Sequence, residues 1–407
     1  MAVIKRVRLS EIAELVTKGT TPTTLGYEFQ DTGVNFLKIE CFSEKGDYIQ
    51  NKATHISEEC HEKLKRSQLK EGDILFSIAG VIGRVAIVTR NMLPANINQA
   101  LAIIRIKKDD IYLPYVKLIL TSPLIKKQFE RKKQGVAQLN ISLKDINDLE
   151  IPLPEIGKQI EYANSFKKVE KLIYTRQYQL QKLDELVKAR FVELFGDPIS
   201  NPMNWNKRTL KEVCIKLNDG THFSPESFSM GDYKYITAKN IKASGFDFSN
   251  ITYVPEAVHR PIFERCNPEQ GDVLYIKDGA TTGIAIVNTL KEEFTLLSSV
   301  ALLKQNRNVI NGYFLAALLN NADMYSDIRN NMGGAAITRL TIAKLNAVKV
   351  IVPPLDLQNR FAAFVHQVDK SKVAVQKSLD EAQLLFDSLM QQYFGCLLYT
   401  SPSPRDS

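Results

Sequence analysis

Residues 126–140 hold a run of basic and amide side chains. Lys126, Lys127, Arg131, Lys132 and Lys133 face a single acid, Glu130, and Gln134, Gln138 and Asn140 follow around Gly135. Lysine and arginine neutralise phosphates, while arginine, glutamine and asparagine form paired hydrogen bonds to guanine or adenine edges. In the second half, Arg329, Asn330, Asn331 and Arg339 stand around Gly333-Gly334 in the same way. A charge run alone is ordinarily a solvated face. Recurrence of cations and amides beside a glycine loop makes polyanion binding the chemistry to test. Thr20 and Lys38 in the first half, and Thr221, His222, Lys239 and Lys277 in the second, complete the candidate contact set.

Catalytic signatures are missing from the same chain. There is no Gly-x-x-x-x-Gly-Lys-Ser/Thr phosphate loop, and Gly80-Val-Ile-Gly83 and Gly279-Ala-Thr-Thr-Gly283 lack dinucleotide-fold spacing, so both read as tight turns after strands. Asn201-Pro202-Met203-Asn204-Trp205 has Met203 where an amino-methyltransferase motif needs a second proline. Glu130-Arg131-Lys132 fits the end of a nuclease motif without its Pro-Asp partner. His55, His61, His222, His259 and His366 form no close ligand pair, so no metal site is predicted. Cys41, Cys60, Cys214, Cys266 and Cys396 contain no Cys-x-x-Cys. That pattern suits a reducing cytoplasm and excludes a disulfide framework.

The elements that must position the candidate contacts are written twice. Gly72-Asp73-Ile74-Leu75 recurs as Gly271-Asp272-Val273-Leu274, Leu153-Pro154 with Gln159 as Val352-Pro353 with Gln358, and Phe195-Gly196 as Phe394-Gly395, all at an offset of 199 residues. Gly19-Thr20 matches Gly220-Thr221 at 201. A period this long makes each copy domain-sized rather than a solenoid repeat. Each copy opens with short β-branched segments (34–39, 73–78, 85–88 and 102–106 in the first; 235–236, 272–276, 284–287 and 300–303 in the second). A helical stretch follows, 115–129 or 313–330, and then the glycine loop. The fold class is α+β: two similar globular domains, each followed by a long helix.

Those helices carry a seven-residue apolar repeat. Phe166, Ile173, Leu180, Val187 and Leu194 mark it in the first copy, answered by Val365, Lys372, Leu379, Phe386 and Tyr393, with Val368, Val375 and Leu389 at companion positions. This is a coiled-coil seam, and forty residues at ~1.5 Å per residue give a rod of roughly 60 Å. Antiparallel pairing is predicted, with the rod setting the separation of the two globular copies. The expected boundaries are 1–155 and 209–354 for the globular domains, 156–196 and 355–395 for the helices, and 197–208 for a linker. Residues 396–407 resemble a translated sequencing adapter and are set aside.

The chain has 407 residues, 44% hydrophobic and 24% charged, a net charge of +8, and no apolar run long enough to span a membrane, so a globular protein is predicted.

In the order of its motifs the sequence resembles the specificity subunits of type I DNA restriction-modification systems. The resemblance covers residues 7–395 and rests on four features of this sequence. Ser10-Glu11-Ile12 leads to Gly19-Thr20-Thr21-Pro22, and Asp219-Gly220-Thr221-His222 is followed by Pro225. His61 to Leu75 runs into Gly80 and Gly83. Leu149-Glu-Ile-Pro-Leu-Pro154 with Gln159 precedes a long helix that ends Phe195-Gly196-Asp197-Pro198. Glu155 departs from the family, which usually repeats proline there. The resemblance implies two target recognition domains, each reading half of a split site in double-stranded DNA. It also implies a helical spacer that docks two methyltransferase subunits, with restriction subunits as further partners. The chain would then be non-catalytic and cytoplasmic, with S-adenosylmethionine, ATP and Mg on partner subunits. The competing reading is a non-catalytic coiled-coil scaffold that binds proteins.

Overall fold

The computed structural model describes residues 5–107, 110–131, 140–330 and 340–394. Lys132, Lys133, Gln134, Gln138, Arg339 and the tail from 395 lie outside the described residues, and Arg131 is described only as the last backbone position of a helix. The chain divides into two compact units, 1–175 with 378–407, and 176–377. Both boundaries cut through a long helix instead of falling at its start.

In the first unit the strands are β1 (Arg6–Arg8), β2 (Ala13–Lys18), β3 (Val34–Leu37), β4 (Thr54–Ile56), β5 (Ile74–Ser77), β6 (Val85–Ile87), β7 (Ala95–Ile97), β8 (Leu101–Ile106) and β9 (Glu150–Pro152). An antiparallel sheet runs β2-β8-β5-β6, a second runs β4-β3-β7 with β3 and β7 parallel, and β1 pairs with β9. The apolar runs of β5 and β8 are continuous because both faces are covered. Ile74, Phe76, Ala102, Ile104 and Ile106 enter the core under the helices. Leu75, Leu101 and Ile103 enter a second core shared with Leu37, Ala95 and Ile97. The second unit repeats this: its sheet orders Cys214–Asp219, Val300–Gln305, Val273–Ile276 and Ala285–Val287, with alternate residues in two cores.

The single helix expected at 115–129 is two, Leu113–Thr121 and Pro123–Arg131. Ser122 sits between them with φ −71 and ψ 157, because a residue before proline is pushed out of the helical region. Its counterpart at 313–330 also breaks, into Gly312–Leu319 and Ala322–Asn330. There Asn321 Oδ1 accepts from Asp323 N and Met324 N at 3.0 and 3.2 Å, so an N-cap starts the second piece without any proline.

The long helices are Ile156–Phe195 and Leu355–Phe394. In the first unit, the Phe166 ring lies 5.2 Å from Phe386 and 5.7 Å from Phe394, and Tyr162 stacks on Tyr393 at 4.0 Å. Within the second unit, Phe361 lies 5.7 Å from Phe191 and 5.6 Å from Phe195. Each unit therefore joins the start of one helix to the end of the other. The pair is antiparallel. Phe166, Ile173, Leu180, Val187 and Leu194 are all buried or half-buried, as are Val365, Val368, Val375, Leu379, Phe386 and Leu389. Lys372 interrupts the seam, and its ammonium lies 2.7 Å from Asp184.

The repeated motifs now have physical roles. Gln159 donates to Pro154 O at 2.8 Å and Asp110 O at 3.1 Å, and accepts from Tyr112 N at 2.9 Å. Gln358 does the same with Pro353 O, Val309 O and Asn311 N. Each glutamine fastens the first turn of a long helix to its own globular part. At the far end of each helix, Phe195 packs 4.6 Å from Phe314, and Phe394 packs 6.2 Å from Tyr115. Asp73 accepts from Lys70 N and from both Nε and Nη2 of Arg105, all at 2.7 Å, and this pairing raises the arginine's pKa. Asp272 caps its own turn through Glu269 N at 2.8 Å but meets only Lys304 at 3.5 Å and Arg307 at 3.7 Å. With this looser pairing, burial lifts its carboxyl above the usual range.

Candidate nucleic-acid interface

Strand ends and loops converge at one end of each unit. In the first, Gly19 N donates to Leu101 O (3.3 Å), Asn98 N to Leu37 O (3.4 Å), Ile78 N to Ala100 O (2.9 Å) and Ile141 N to Ile78 O (3.0 Å). Thr20, Lys38 and Asn140 each adjoin one of these bonded residues, so backbone geometry gathers three candidates that are far apart in sequence. The second unit reproduces the lattice: Gly220 N to Val300 O (3.4 Å), Leu297 N to Ile236 O (3.0 Å), Lys277 N to Ser299 O (2.9 Å) and Leu340 N to Lys277 O (2.9 Å). Thr221 adjoins Gly220 and is followed by His222, and Ala238 N, beside Lys239, donates to Ser299 Oγ at 3.2 Å.

Gly19 and Gly220 are required by this convergence. A Cβ on either would overlap backbone, the carbonyl of Ile97 in one unit and of Leu296 in the other. The Gly80/Gly83 and Gly279/Gly283 pairs all have positive φ, between 71 and 111°, consistent with tight turns after strands.

Among the candidates, Thr20, Asn140, His222 and Lys239 are exposed. Lys38 is half-buried, its ammonium 4.6 Å above the Phe29 ring. Arg329 is half-buried as well, donating to Tyr325 Oη at 2.6 Å and to Thr282 O at 3.4 Å. Two candidates need correction. Thr221 is 4% exposed, its Oγ1 3.3 Å from Phe223 O, so it shapes the loop and presents no hydroxyl to a ligand. Lys277 is 1% exposed, its ammonium 3.3 Å from Asp219 and 3.5 Å from Asp278, and it is not available to a phosphate. A β-strand run that ends in lysine gives no sign of which face the last side chain takes.

Sequence reasoning missed the side chains that hold these loops. Arg84 donates to Phe42 O at 2.8 Å and Ile39 O at 3.3 Å, tying the loop after β3 to the turn before β6. Arg265 donates to Asp219 O at 3.0 Å and to Gly220 O, and it stands 199 residues after Arg66, a match that sequence reasoning did not use. Exposed apolar side chains also stand beyond Thr221, with Phe223 at 61% and Met230 at 81%. The exposed candidates, Thr20 and Asn140 in one unit and His222 and Lys239 in the other, carry hydrogen-bonding and cationic groups that suit a polyanion. Among the described residues no group of three or more His, Cys, Asp or Glu could hold a metal, and no helix is long and apolar enough to cross a membrane.

Comparison with known proteins points the same way. The family described as "Type I restriction modification DNA specificity domain" matches twice, at residues 3–185 and 202–382. The chain is 20% identical over 401 residues to the type I restriction enzyme MjaIX specificity subunit of Methanocaldococcus jannaschii, covering 94% of this chain and 90% of that one. It is 32% identical over 142 residues to the EcoBI specificity subunit of Escherichia coli, a stretch that is 34% of this chain and 28% of that one. Among solved structures, a chain of a type I R-M system has a TM-score of 0.58 at 18% identity, covering 96% of this chain and 97% of its own. The S subunit from M. genitalium gives 0.55 at 16% identity, with 96% of each chain covered.

Proposed function

This chain belongs to the family of type I restriction modification DNA specificity domains, and from that premise we propose that its two units each read one half of a bipartite site in double-stranded DNA. The observation that carries the proposal is the duplicated loop lattice, which gathers Thr20, Lys38 and Asn140 in one unit and His222 and Lys239 in the other. Two diverged copies in one chain behave as a dimer freed from symmetry, so the half-sites can differ in sequence. Arg131, Lys132, Lys133, Gln134, Gln138 and Arg339 complete the contact sets by sequence position. The exposed faces of the helix pair would dock two methyltransferase subunits, with restriction subunits joining that assembly in the cytoplasm. S-adenosylmethionine, ATP and Mg then act on those partners, and this chain contributes recognition without catalysis.

DNA binding by the purified chain, measured across salt concentrations, tests this against a purely protein-binding scaffold. A reader of this kind shows log affinity falling linearly with log salt, plus a salt-resistant preference for one sequence. A chain that binds methyltransferase subunits but no DNA, alone or with them, is a scaffold.

A further inference from the structure

We propose that His222 is a specificity-determining residue of the second half-site, acting as a hydrogen-bond acceptor for a base amino group; this rests on the DNA-reading function above. Its ring lies on the loop that Gly220 and Thr221 pin to the strand ends, and its side chain is 53% exposed. Beneath it is a buried carboxylate. Asp219, 5% exposed in its side chain, has Oδ1 at 3.2 Å from His222 Nε2 and at 3.4 Å from Arg265 Nη2, while Oδ2 lies 3.3 Å from Lys277 Nζ. Arg265 also donates to Asp219 O at 3.0 Å and to Gly220 O, so the support is fixed on its backbone side as well.

An ionised carboxylate only accepts, so Nε2 must carry the proton it donates to Asp219. In the neutral ring Nδ1 then holds the lone pair, and no other partner touches either ring nitrogen among the described residues. An acceptor held at the reading end selects an exocyclic amino group, that of adenine N6 or cytosine N4. Buried Lys277 has a defined part here. With Arg265 it pairs with Asp219 and holds the carboxylate in place beneath the ring, and so is a positioning residue.

Among the described residues the first unit has no such device. Thr21 stands at the position of His222, with its hydroxyl donating to Gln99 Oε1, and Ile78 stands at the position of Lys277. The two halves thus differ in hydrogen-bonding character at matched places, which is what an asymmetric site needs.

The test uses the full chain assembled with its methyltransferase subunits. The modified sequence is first mapped for wild type and His222→Ala, an exposed substitution whose thermal melt should match wild type. His222→Ala should relax one base pair of the second half-site about fivefold or more, with the first half-site and the gap unchanged. Synthetic sites then replace the adenine of that pair by purine, or the cytosine by 2-pyrimidinone, deleting only the amino group. That deletion should weaken wild type about fivefold and His222→Ala hardly at all. Unchanged specificity in His222→Ala overturns the inference, as does an equal loss in both proteins on amino deletion. Absence of any bipartite modified sequence in wild type would instead overturn the DNA-reading function itself.

Discussion

Phe394→Ala probes how each unit is built. The side chain is 3% exposed, and its ring lies 5.7 Å from Phe166 and 6.2 Å from Tyr115, both fully buried members of the first unit's core. Truncating a buried phenylalanine costs about 3–5 kcal/mol, the loss of transfer energy plus the cavity left behind. A position in the last turn of a helix can partly collapse, so the low end, about 3 kcal/mol, is the appropriate figure. Against a domain stability of roughly 5–15 kcal/mol this is a large fraction, and it raises the opening constant about a hundredfold. Hydrogen exchange resolved by peptide is the assay. Exchange should rise in β2, β5 and β8 and in the helix at 113–121, elements that lie hundreds of residues away in sequence. The strands at 273–276 and 300–305 should stay as slow as in wild type. Phe195→Ala should give the reverse pattern, because its ring is buried against Phe314 and Phe361. If Phe394→Ala accelerated exchange in the second unit, or nowhere, the antiparallel exchange of helix ends would be refuted.

Two further outcomes follow from the same geometry. Gly220→Ala, whose Cβ would overlap Leu296 O, should abolish discrimination at one half-site while leaving the other intact, and Gly19→Ala should do the converse; maps of modified sequence check both. Inserting a heptad between Leu180 and Val187 and another between Leu379 and Phe386 keeps the apolar register and lengthens the spacer by roughly 10 Å, so the gap between unchanged half-sites should grow.

Duplication and the seven-residue stripe were legible because they are statements about sequence period, which the burial of one helix face against a partner helix preserves. The named apolar positions from Phe166 to Leu194 and from Val365 to Leu389 are buried or half-buried, with Lys372 breaking the second stripe. The strands at 74–77 and 101–106 were legible as β-branched runs. The parallel pairing of β3 with β7 was not, since it joins residues 60 apart through carbonyls that no side chain announces. The break at Ser122 was available from Pro123; the break before Ala322 depends on an asparagine cap that resembles any other polar surface residue. Of the candidate contacts, Thr20, Lys38, Asn140, His222 and Lys239 lie beside the converging strand ends. Lys277 was misjudged because a lysine buried by two aspartates looks in sequence like any solvated lysine. Asp219 and Arg265 gain meaning only once folding brings residues 46 apart together.

The most direct measurement is the sequence modified in DNA from a host that expresses this chain with its methyltransferase partner, compared with the same host lacking the chain. The account predicts one asymmetric site, two unlike specified half-sites separated by an unspecified gap of constant length, absent when this chain is absent. A continuous or palindromic site, or modification that persists without the chain, would contradict it.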